Sequence, residues 1–148
     1  MYLDICGDFE YDGKFFTAQF NPQLCNIEFD CANIPTFIIM EGLTQLACRV
    51  ASRTFFDHAP CFPAMINHFE FKRSIDGILL DENSLVLMAT AEKKNNFVAA
   101  TCSLVDQSHD PVAFSEIWVT KRQPLTRIKP KTASSMASYP PGEEIENR

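Results

Sequence analysis

The feature that most constrains this chain is residues 37–56, a stretch without Pro in which apolar side chains recur at helical spacing. It follows Pro35, which suits a first helical turn because its missing N–H has no partner there anyway. It ends before the turn-like Asp57-His58-Ala59-Pro60. Phe37, Ile38, Ile39, Met40, Leu43, Leu46, Ala47, Val50 and Ala51 leave little of its circumference polar, which predicts a helix covered on nearly every side. The exceptions, Glu41, Thr44, Gln45, Cys48 and Ser52, fall on a single stripe. A carboxylate therefore stands on the one polar line of an otherwise buried helix.

Something has to cover that helix, and the rest of the chain offers strands. Beyond residue 60 the hydrophobic period changes to two, in runs at 65–73, 84–93, 96–106 and 111–120 separated by short turn clusters. Such spacing makes neighbours antiparallel, and a meander results. Upstream, 14–20 and 25–30 read as one or two further strands. The economical packing is α+β, an antiparallel sheet of about five to six strands wrapped around one long central helix. A length of 148 residues with 46% hydrophobic positions suits a single domain over residues 1–122. Residues 123–148 carry Pro124, Pro130, Ser134, Ser135, Pro140 and Pro141, the composition of a tail that is partly disordered.

Charge narrows the partners. The net −6 divides into −9 over residues 1–120, from seven Lys/Arg against sixteen Asp/Glu, and +3 over 121–148, from six against three. A body this acidic is a poor match for phosphate backbones, which argues against nucleic-acid binding. The start of the chain lacks the basic and apolar regions of a signal peptide, which points to a cytoplasmic protein with reduced thiols. Cys48 and Cys102 then read as packing residues. No apolar run reaches the roughly 18 residues of a membrane span.

The segment Ile34-Pro35-Thr36-Phe37-Ile38-Ile39-Met40-Glu41-Gly42-Leu43-Thr44-Gln45 resembles a motif of the hotdog-fold 3-hydroxyacyl-(acyl-carrier-protein) dehydratases, in which Pro, Glu and Gln stand at the same spacings. Phe69-Glu70-Phe71-Lys72-Arg73, followed by Ile75-Asp76-Gly77, is similar to that family's next strand. The resemblance implies a hotdog fold and a homodimer, or a larger assembly of dimers, with pantetheine tunnels at the interface. It further implies an acyl thioester carried on acyl-carrier protein or coenzyme A, and no metal or cofactor. By the same resemblance Glu41 is the acid/base, and the helix start at Pro35, Thr36 and Phe37 faces the thioester. Unpaired amides there suit a developing oxyanion. The family's catalytic His stands fourteen residues before its Glu, which here is Ile27, and the three histidines, His58, His68 and His109, all follow the helix. Removing one member of an acid–base pair costs about 10²–10⁴-fold.

On the residues themselves, Glu41 is either a proton-transfer group whose pKa burial should raise, or a structural acid bonded within the helix. Gln45, one turn on, either orients Glu41 or a substrate carbonyl, or is a satisfied core amide. Three functions stay open: a dehydratase, a thioesterase that uses Glu41 to activate water, and a non-catalytic acyl-binding or accessory subunit. Among lesser signals, His68 reads as a solvent-side strand residue, opposite in face to Phe69 and Phe71. His58 and Cys61 lack the second pair that a zinc site needs, and Ser108-His109-Asp110 reads as turn chemistry. Cys25 and Cys31 have no nearby cation to activate them. The basic residues Lys121, Arg122, Arg127, Lys129 and Lys131, with Lys72 and Arg73, are solvated or meet an acidic carrier or a phosphate.

Overall fold

The computed structural model describes residues 4–24, 34–72 and 85–123. Strand β1 (Cys6–Tyr11) and strand β2 (Phe16–Phe20) precede helix α1 (Thr36–Val50), which continues through one π-helical stretch, Ala51–Phe55. Strands β3 (Cys61–Phe71), β4 (Val86–Lys94), β5 (Phe97–Val105) and β6 (Pro111–Lys121) follow. The expected strand at 25–30, together with Ile27, Cys25 and Cys31, lies outside the described residues, as do Arg73 and the tail beyond residue 123.

The described strands form one antiparallel sheet in the order β1-β2-β4-β5-β6-β3. Helix α1 packs against all six of them. This is the hotdog architecture. Ile38, Ile39, Leu43, Leu46, Ala47 and Val50 are fully buried against Leu87, Val98, Leu104, Ile117 and Val119 from the inner face of the sheet. Each Ile, Leu or Val among them contributes roughly 1.5–3 kcal/mol on leaving water, so the helix and sheet hold one another.

One close approach sets the position of the helix. A Cβ built on Gly42 would lie 2.9 Å from Cε2 of Phe20 and 3.3 Å from Cγ2 of Ile5, so only glycine lets α1 come this near to the segment holding β1 and β2. The turns are as local as their residues suggest. Asn95, between β4 and β5, has φ 55, a left-handed conformation that Asn tolerates. Asp106 Oδ1 accepts the N–H groups of Ser108 at 2.8 Å and Asp110 at 3.0 Å, which makes the Ser108-His109-Asp110 run a turn rather than a triad.

Strand β3 differs from the others. It is an edge strand paired only to β6 among the described residues, with two bulges, and Phe62 to His68 are exposed on both faces. Its Phe62, Met65 and Ile66 are between 41% and 48% exposed, apolar surface that an isolated sheet edge would normally avoid.

Gly42→Val is expected to destabilise the chain by roughly 1–3 kcal/mol, because Phe20 and Ile5 are buried and cannot swing aside. Chemical denaturation measures it, and a variant as stable as the parent would show that the helix is free to shift.

Candidate functional site

A sheet that curls around a helix has two edges, and here β1 and β3 do not meet. The seam between them is a cavity of about 310 Å³ floored by the polar stripe Glu41, Thr44, Gln45 and Cys48, with Asp4 and Arg49 on one side and Cys61, Phe62 and Pro63 on the other. The stripe seen in the sequence is thus the line of α1 that the sheet leaves uncovered. Glu41 is correspondingly half-buried.

The Gln45 amide organises this floor. Its Nε2 donates to Glu41 Oε1 at 2.9 Å, while its Oε1 accepts the backbone N–H groups of Ile5 at 3.1 Å and Cys6 at 3.0 Å. Both ends of the amide are committed, so its orientation is fixed and it holds one carboxylate oxygen of Glu41 in place. Glu41 Oε2 accepts no hydrogen bond from the described residues. Beside it, Arg49 ties the helix to the start of β1, donating to Gly7 O at 3.1 Å and Asp4 Oδ1 at 2.7 Å. Thr44 bonds back to Met40 O at 2.7 Å, so its hydroxyl is occupied within the helix.

The thiols add neutral surface. Burial pushes Cys48 up to about 12, with Cys61 and Glu41 nearby adding to the rise, and burial also raises Cys61. Cys61 Sγ donates to Ala59 O at 3.3 Å. Neither is an activated nucleophile.

Of the residues singled out from the sequence, Glu41 and Gln45 meet in this cavity. Pro35, Thr36 and Phe37 do not line it. They form the helix start one turn above, where Ile38 N donates to Pro35 O at 3.0 Å and no side chain caps the helix. Phe37 is 53% exposed there. No histidine lines the cavity. His58 sits in the turn after α1 with φ 62, and His109 in the β5–β6 turn with φ 61. His68 pairs with Glu116 and lies against Glu70 and Phe114 on the outer face of the sheet. No His/Cys/Asp/Glu cluster among the described residues could hold a metal ion. No helix among them is long and apolar enough to cross a membrane. That Cys61, Phe62 and Pro63 form the far wall beside Glu41 has no signal in the sequence, because only the return of β3 past the helix brings them there.

No family model and no curated sequence matches the chain. Solved structures do match in fold. The chain is similar to the thioesterase HI1161 from Haemophilus influenzae, with 9% identity and a TM-score of 0.60 over 80% of this chain and 79% of that one. It is similar to the E. coli PaaI protein of the phenylacetic acid degradation operon, with 13% identity and a TM-score of 0.53 over 77% and 82%. BH2602 from Bacillus halodurans, whose structure was determined with CoA, matches with 12% identity and a TM-score of 0.51 over 76% and 70%. At these identities the likeness is one of fold.

Gln45→Leu keeps the volume and removes the whole network, leaving the buried N–H of Ile5 without its acceptor. We expect a loss of about 1–3 kcal/mol in denaturation. At pH 8, peptide mapping after iodoacetamide should find Cys48 alkylated far more slowly than a solvent thiol, and equal rates would contradict its buried, protonated state.

Proposed function

We propose that this chain acts on acyl thioesters and that Glu41 activates water for their hydrolysis. The observation that carries this reading is the Glu41 carboxylate on the cavity floor, held at one oxygen by Gln45 and open at the other, with no histidine in the lining and with the other carboxylate there, Asp4, engaged by Arg49. Dehydration asks for two groups, one to take the proton next to the carbonyl and one to expel the hydroxyl; hydrolysis needs one base and one water. A fold shared with a thioesterase and with a protein crystallised with CoA adds support. The helix motif that resembles the dehydratases keeps 3-hydroxyacyl thioester dehydration as the second reading.

The same cavity suggests a second copy of the chain. It lies open along β3, whose free edge is flanked by exposed Phe62, Met65 and Ile66. Pairing β3 with β3 of another copy would satisfy that edge, cover those side chains and close the seam over Glu41. A homodimer with a site at each end of the interface is therefore part of the proposal. Coenzyme A is the favoured carrier, since an acidic carrier protein meets repulsion from a body with net charge −9 over residues 1–120.

Incubation with acyl-CoA and 3-hydroxyacyl-CoA, followed by thiol release and enoyl absorbance, separates the readings: thiol supports hydrolysis, enoyl product supports dehydration, and binding without either supports an accessory subunit. Glu41→Gln should lower the observed turnover by about 10²-fold or more. Full activity in that variant would remove Glu41 from the chemistry. Ile66→Glu should shift the mass in light scattering from dimer to monomer and depress activity with it.

A further inference from the structure

A second cavity, of about 420 Å³, opens where α1 leaves the sheet, between Phe55, Phe56, Lys93, Asn95, Asn96 and Lys121. Two ammonium groups face it against the one carboxylate of Asp57. Neither lysine has an ion-pair partner among the described residues. Lys93 Nζ instead stands 5.7 Å from the centroid of the Phe56 ring. The ordinary reason for lysines at this place would be to serve the carbonyl end of the helix. Here backbone groups already do so: Phe56 N donates to Ala51 O at 3.0 Å, His58 N to Ser52 O at 2.9 Å and Ala59 N to Phe56 O at 3.0 Å. The positive φ values of Asp57 and His58 turn the chain to make those bonds. The lysines are left without that task.

The two cavities are neighbours. Cys61 lines the Glu41 cavity, and its ladder partner on β6, Lys121, lines the second. Along the helix, Glu41 and Phe55 are separated by roughly 20 Å of rise. An extended pantetheine arm spans about 16 Å between sulfur and phosphorus by ordinary bond lengths. The side chains of Glu41 and the two lysines make up the remainder.

We propose that this second cavity receives the phosphate-bearing end of the thioester carrier, with Lys93 and Lys121 on the phosphate oxygens while the thioester lies at Glu41. The inference rests on the reading of the first cavity as the thioester site. The shared chemistry is a phosphopantetheine phosphate, which arrives either on coenzyme A or on a carrier protein. For the nucleotide of coenzyme A, the Phe55 and Phe56 rings and the Asn95 and Asn96 amides supply stacking and hydrogen-bonding surface.

The test is calorimetric binding of coenzyme A, 4′-phosphopantetheine and pantetheine to the full chain and to a Lys93→Gln/Lys121→Gln variant. Both positions are exposed, so the substitutions spare the core. The parent should prefer the phosphorylated ligands by about tenfold or more, and the double variant should lose most of that preference. Lys93→Arg/Lys121→Arg should restore it. Equal binding of coenzyme A and 4′-phosphopantetheine supports the phosphate site with either source, and tighter binding of coenzyme A supports it with the nucleotide as source. A preference that is absent in the parent, or unmoved in the double variant, overturns the proposal. Hydrolysis of an N-acetylcysteamine thioester, which carries no phosphate, tests Glu41 separately. Its absence alongside a lysine-dependent preference would refute the hydrolase reading and leave the phosphate site standing.

Discussion

A six-stranded sheet can hide an apolar helix only by bending around it, and a bent open sheet always ends in two edges. In this chain that geometric remainder decides where anything can happen. The helix presents its polar residues along one narrow line, Glu41 to Cys48, and the edges β1 and β3 stop on either side of it. Turning α1 by a quarter turn would bury a carboxylate against Leu87 or Val98 and expose leucines in its place, at several kcal/mol for the exchange. The hydrophobic core therefore also orients the site.

Much of this was legible in residue order, because it follows from local periodicity. The helix, its polar stripe and the β4–β5–β6 meander each leave a pattern within a dozen neighbouring residues. Strand β1 left none: Gly7, Asp8 and Glu10 interrupt its apolar positions, since it is an edge strand that pairs only with β2 and shows much of its surface to solvent. Strand β3 begins earlier than its pattern suggests because Pro63 reads as a breaker. Along a sheet edge the missing N–H deprives no ladder, and Pro63 pairs with Val119. The cavity could only be half seen. Glu41 and Gln45 share a helix face, whereas Cys61, Phe62 and Pro63 reach them through a tertiary return that no spacing announces. The π-helical stretch at the end of α1 also lies beyond periodicity, since one extra residue per turn scarcely alters the apolar count.

Surface charge plays a smaller part than its amount suggests. Arg49 and Arg53 each meet one aspartate of the β1 segment, Asp4 at 2.7 Å and Asp8 at 3.2 Å, and both carboxylates are largely in water. Such pairs contribute little to stability. Arg49 gains more from its bond to Gly7 O, which helps fix the same β1 segment that Gln45 grips. The helix is thus fastened to β1 by two side chains one turn apart, and Gly42 allows the approach that brings them within reach.

The protonated thiol of Cys48 has a kinetic consequence. With its ionisation pushed up to about 12, the thiol stays neutral beside Glu41, and no imidazole lines the wall. Below that range Cys48 adds neither charge nor a competing nucleophile to the floor, so any alkaline limb of a pH–rate profile short of it belongs to a group other than this thiol.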